Sequence, residues 1–74
     1  MDNRLDFLVY CVESYKNAKG LKGRETIELF NKYRVFDYIN ASYDALHTTG
    51  REYIIDDLNI YISARKKVDI GIVH

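Results

Sequence analysis

The residue most suggestive of chemistry is His47, which stands just before a glycine break in the run Leu46-His47-Thr48-Thr49-Gly50. A histidine so placed can act as a general base or a metal ligand, because imidazole exchanges its proton near neutral pH. Either role needs companions, and the sequence supplies none. Asp44, one helical turn earlier, is set to orient or cap the ring, and no second histidine lies nearby. The structural reading has the ring closing a helix by bonding backbone near Thr49 or Gly50; contact with a partner is the second reading and catalysis the third. Asp56 and Asp57 are adjacent, and neighbours on a helix point about 100° apart. Their carboxylates would not converge on one ion and instead support capping and the helix dipole. Cys11 is the only cysteine and lies in an apolar arc, where it reads as a small core residue; a reactive thiolate would need a cationic neighbour. Cys11, His47 and His74 lack the paired spacing of a zinc site. Thr48-Thr49-Gly50 is too short for a phosphate loop. No metal, no cofactor and no catalytic residue is expected, so the chain is not expected to be an enzyme.

The tyrosines carry more information. Seven of them in 74 residues exceed what one small core can hold, since a buried hydroxyl must find a bonding partner. Tyrosine is also a rigid amphipathic side chain enriched at protein interfaces. Tyr10, Tyr38 and Tyr53 fall away from the core stripes described below, and Ile60 shares a side with Tyr53. These four are the expected partner-binding residues. The plainer alternative is a set of half-buried tyrosines along the rim of a bundle.

Size makes a partner attractive. A chain this short buries only about 60% of the surface its unfolded form exposes, leaving a stability on the order of a few kcal/mol. One cysteine allows no internal disulfide, and association is the remaining device. Eleven basic and eleven acidic side chains cancel, so no global field draws the protein to phosphate backbones or anionic lipid; nucleic acid is not expected as the main partner. Arg65-Lys66-Lys67 reads as a solvated helix end. No basic leader precedes an apolar run, and no apolar stretch approaches the roughly 20 residues of a membrane span. A soluble, cytoplasmic protein is expected.

Four helices must position these residues. In the first, Leu5 to Ala18, the apolar side chains spread over roughly 200° of the circumference at 100° per residue, about twice what a surface helix needs. That helix is either central or partly turned toward another molecule. Gly20 can cap it. The second, Gly23 to Tyr33, offers Ile27, Leu29, Phe30 and Tyr33 as its buried face. After a joint at Arg34-Val35, the third runs from Phe36 to His47, with Phe36, Ile39, Tyr43 and Leu46 on one stripe and Tyr38, Ala41 and Ala45 on another. Thr49 and Glu52 have the spacing of a capping box for the fourth, Gly50 to Lys66, whose core face is Ile54, Ile55, Leu58, Tyr61 and Ile62. A second reading keeps Tyr53 to Ile55 extended and starts that helix at Asp56 or Asp57, either a good N-cap. Beyond residue 67, Val68, Ile70 and Ile72 alternate with Asp69 and Gly71, the pattern of a short strand. The expectation is an all-α bundle of four short helices over residues 1–67, with a flexible or strand-like tail over 68–74.

The chain resembles a family of short bacterial proteins known as a domain of unknown function. The resemblance rests on Leu5-x-Phe7, Cys11-Val12-Glu13-x-Tyr15-Lys16, Leu29-Phe30 and Asp37-Tyr38-Ile39. It is strongest in Tyr43-Asp44-x-Leu46-His47-Thr48-x-Gly50-x-x-Tyr53-Ile54-x-x-Asp57-Leu58-x-x-Tyr61-Ile62, and it covers residues 5 to 65. One departure is Lys22, where the family pattern has a serine N-cap for the second helix, so that helix start is expected to fray. Members look to be encoded beside proteins with an ADP-ribosyltransferase-like fold. The resemblance thus implies a small partner or antitoxin restraining such a toxin, and it supplies no catalytic residue. Leu46, His47, Thr49, Gly50, Glu52 and Asp57 are expected to serve as structural motif residues. A self-associating protein, or a small DNA-binding regulator whose affinity would fall steeply with salt, are the rival expectations.

Overall fold

The wide apolar arc of the first helix is explained by how many neighbours use it. The computed structural model describes residues 3–72, and side chains from residue 4 to 67. Five helices follow one another: α1 (Asn3–Lys19), α2 (Gly23–Lys32), α3 (Val35–Ala41), α4 (Tyr43–Leu46) and α5 (Arg51–Ile72). α1 packs against α2, α3 and α5, which makes it central. Cys11, Val12 and Tyr15 of α1 meet Phe30 and Tyr33, Val35 and Ile39, and the Ile54-Leu58-Ile62 stripe of α5 in one buried cluster. Phe30 is the hinge of that cluster, edge-on to Tyr15 at 5.5 Å and to Phe36 at 5.4 Å.

Local chemistry ends each element. Gly20 adopts a left-handed φ of 65°, and the Leu21 N–H donates to the Lys16 carbonyl at 3.0 Å. This is the Schellman closure that glycine permits at no steric cost. Lys22 cannot accept a hydrogen bond with its ammonium, yet the start of α2 is held. The Glu25 carboxylate accepts from the Lys22 N–H at 2.9 Å, and the Thr26 hydroxyl donates to the Lys22 carbonyl at 3.0 Å. Thr26 is thereby buried with its polar group satisfied, and it takes the core position expected of Ile27, which is 41% exposed. Between α2 and α3 the chain reverses at Arg34, whose φ of 56° and ψ of 39° lie in the left-handed region.

Two expectations about architecture are corrected. The third helix is two helices, not one, so the bundle has five helices among the described residues. Ser42 leaves helical geometry at φ −103° and ψ 13°, and its carbonyl accepts from both Ala45 and Leu46, at 3.1 and 2.8 Å. Serine competes poorly as an interior helix residue, and the break swings Tyr43 onto Phe7 of α1, edge-on at 5.4 Å. The expected flexible or strand-like tail is also overturned, because α5 continues through Ile72. No strand occurs among the described residues, so a strand here would leave its backbone groups without a ladder. Continuing the helix satisfies them one residue at a time. Val73 and His74 lie outside the described residues. The fourth expected helix is helical from Arg51 onward, with the Ile54 N–H donating to the Gly50 carbonyl at 3.1 Å, so Tyr53 to Ile55 are not extended.

Two substitutions check this arrangement. Phe30→Ala, at a side chain with no solvent exposure, should cost about 3–5 kcal/mol, enough to unfold a domain of this size in a urea titration. Arg34→Gly should raise the urea midpoint, gaining about 0.5–1 kcal/mol by relieving the left-handed penalty.

Candidate functional site

The Leu-His-Thr-Thr-Gly stretch resolves into a helix terminator. Leu46 is buried and anchors the end of α4. The His47 ring turns back rather than forward, placing Nδ1 2.8 Å from the Tyr43 carbonyl and lying parallel to the Tyr43 ring at 4.5 Å. A carbonyl can only accept, so Nδ1 carries the proton in this bond. The Thr48 hydroxyl donates to the Ala45 carbonyl at 3.4 Å and the Thr49 hydroxyl to the Leu46 carbonyl at 2.7 Å. Three consecutive side chains thus bond carbonyls of the short α4. Those of Tyr43 and Leu46 also accept the backbone N–H groups of His47 and Thr49, at 2.8 and 3.0 Å, while the Ala45 carbonyl is one that the helix end would otherwise leave over. The expected capping box does not form: Thr49 spends its hydroxyl and its N–H on Leu46, Glu52 is exposed, and Gly50 sits at the start of α5 in its place. The Arg4 guanidinium lies 5.1 Å from the Tyr43 ring centroid, so the terminator is also tied to the beginning of α1.

Tyr38 is engaged within the molecule. Its hydroxyl donates to the Asp57 carboxylate at 2.6 Å, and its ring stacks on Tyr61 at 4.1 Å, clamping α3 to α5. Asp57 is therefore a hydrogen-bond acceptor in that clamp rather than one half of a carboxylate pair. Burial, reinforced by the bond to Asp57, pushes the Tyr38 hydroxyl up to about 12. Burial likewise raises Tyr15, whose hydroxyl donates to Asn59 Oδ1 at 3.3 Å. Cys11 is fully buried and its thiol is pushed up to about 12 by burial, the state of an inert core cysteine. Among the described residues no group of three or more His, Cys, Asp and Glu side chains could hold a metal ion.

The remaining expected contact residues stand outside the core, in separate places. Tyr10 is 44% exposed on α1 and leans toward Phe7. Tyr53 and Ile60, at 59% and 69% exposed, share a shallow recess on α5 with Asp56 and Asp57. A further surface went unassigned by sequence reasoning. Leu5 and Val9 of α1 and Ile27 of α2, at 66%, 55% and 41% exposed, rim a groove floored by Leu8, Val12 and Phe36. The signal was present in the breadth of the first helix's apolar arc, of which the bundle covers only the part centred on Cys11 and Tyr15. The placement of Ile27 at the margin, with Thr26 inside, was not legible.

These features define a small all-α bundle whose polar side chains are spent on holding helix ends, with apolar and aromatic side chains left on its outside. The chain belongs to the family described as Protein of unknown function (DUF3791), which matches residues 6–65. No curated protein and no solved structure matches it. No helix among the described residues is long and apolar enough to cross a membrane.

The Tyr38 clamp predicts a stability that depends on alkaline pH. Because the folded pKa lies above the unfolded value of about 10, the native state holds the proton more tightly. The contribution is full below pH ~10 and is lost as pH rises toward the folded value of about 12. Tyr38→Phe should flatten the fall in urea midpoint over this window, with tyrosinate absorbance reporting one late-titrating phenol fewer.

Proposed function

We propose that this protein is a small protein-binding module and not an enzyme. It acts as an antitoxin or regulatory partner that restrains an ADP-ribosyltransferase-like toxin by covering its substrate cleft. The observation that carries the binding reading is the α1–α2 groove, with Leu5, Val9 and Ile27 exposed above an apolar floor. Apolar side chains clustered around a groove mark interaction surfaces more often than scattered ones do, and a bundle of this size gains stability by covering them. The chemistry-bearing residues support the same reading from the other side. His47, Thr49 and Asp57 each bond within the fold, so no converging nucleophile and base is assembled around them. The choice of toxin rests on the family resemblance alone.

Co-expression with an ADP-ribosyltransferase-like protein encoded beside it tests the proposal. The expected outcome is a stable hetero-complex that suppresses the partner's transferase activity and is weakened at least about tenfold by Val9→Asp, with helical circular dichroism unchanged. Elution of the chain at the same mass with and without that partner would sink the reading. A complex indifferent to Val9→Asp but broken by Tyr10→Ala would move the contact to the opposite flank of α1.

A further inference from the structure

The outer face of α5 carries a second pattern, separate from the α1–α2 groove. At about 100° per residue, Ile54, Leu58 and Ile62 mark the buried side of this helix, and all three are buried. Directly opposite, within roughly 100° of arc by the same spacing, lie Tyr53, Asp56, Ile60, Ser63, Ala64 and Lys67. All six are exposed. Ile60 is the most exposed large apolar side chain of the described residues, at 69%, and it lies between two shallow recesses. One is lined by Tyr53, Asp56 and Asp57, the other by Asn59, Ser63, Ala64 and Lys67. Spacings of three and four residues repeat from Tyr53 through Asp56, Ile60 and Ser63 to Lys67, which is the period that keeps one helix face against another. α5 packs against α1 and α3 on its other side.

We infer that this face pairs with the same face of a second copy of the chain, the two α5 helices running antiparallel about a two-fold axis at Ile60. Charge order selects the occupant and its direction. The first half of the face carries Asp56, with Glu52 and Asp57 beside it, and the second half carries Lys67, with Lys66 beside it, while Arg65 lies over the Tyr61 ring on the α3 side. A parallel pair would set like charge against like, whereas an antiparallel pair sets each acidic half against the basic half of its copy. Shape agrees with charge. In a two-fold pairing, residues equally far before and after Ile60 face each other, so Tyr53 meets Lys67 and Asp56 meets Ala64. The ammonium of Lys67 then reaches both the tyrosine ring and the carboxylate one turn on, and the small Ser63 and Ala64 next to the axis leave room for Ile60 of the other helix. An isologous contact of this kind closes on itself as a dimer. The continuation of α5 past Lys67 lengthens the helix available to the pair.

Ile60→Cys provides the direct test, because at the two-fold axis the two thiols meet, while native Cys11 has no exposure and stays out of reach. Mild oxidation should convert Ile60→Cys to a covalent dimer, with Glu28→Cys on the outer side of α2 remaining largely monomeric. In the unmodified chain, sedimentation should show concentration-dependent mass. Lys67→Glu should weaken that association by about tenfold, and adding Asp56→Lys should restore it. A chain monomeric at every concentration would overturn the proposal, as would equal cross-linking at residues 60 and 28. So would self-association abolished by Val9→Asp but untouched by Ile60→Glu. Capture of a toxin through the α1–α2 groove is read separately and stands or falls without this dimer.

Discussion

The bundle depends on the burial of one ring. Phe30 has no solvent exposure and meets Tyr15 of α1 and Phe36 of α3 edge-on, the arrangement aromatic quadrupoles favour. Because α2 brings this ring to a point where α1 and α3 already converge, a single side chain fixes the relative positions of three short helices. α5 then closes the remaining side with Ile54, Leu58 and Ile62. α2, α3 and α4, of ten, seven and four residues, have little intrinsic stability, since segments of this length are marginal in water. Their existence as helices follows from packing, and the packing follows from α1, whose apolar arc is wide enough to be shared.

With the core so small, ends matter more than usual. Seven residues make α3 and four make α4, so most of their backbone groups are terminal groups. His47, Thr48 and Thr49 turn their side chains onto the carbonyls of α4, and Glu25 and Thr26 perform the same service around Lys22 at the start of α2. The residues that look most chemical in the sequence are thus consumed by backbone satisfaction. A histidine stacked on tyrosine and bonded to a carbonyl one turn back is a mechanical part, and an aspartate bonded to Tyr38 is another. Function is left to what the polar side chains do not occupy: an apolar groove between α1 and α2, and the outward face of α5.

The sequence by itself determined the helical class, the positions of three of the interhelical breaks and most of the core. Periodicity alone is sufficient for that, because residues such as Phe30, Ile39, Leu58 and Ile62 lie on stripes that no other arrangement could bury. It also placed Gly20 at a cap and Tyr10, Tyr53 and Ile60 outside, since each lies far around its helix from the apolar stripe. The family resemblance over residues 5 to 65 likewise coincides with the match over residues 6–65.

Tertiary structure decided what depends on partners distant in sequence or on competition between nearly equal local choices. Ser42 can continue a helix or break it, and the contact of Tyr43 with Phe7 favours the break. Val68 to Ile72 alternate like a strand, but a strand needs a neighbour and a helix does not, so α5 runs on. The Thr49 N–H could meet the Glu52 carboxylate or the Leu46 carbonyl, and it donates to Leu46 at 3.0 Å because the end of α4 brings that carbonyl within reach. Tyr38 lies off its helix's core stripe and still comes to rest inside a clamp, since only the approach of α5 brings Asp57 within reach of its hydroxyl. Local pattern fixes which residues want burial or a bond; the meeting of helices fixes which of them obtain it.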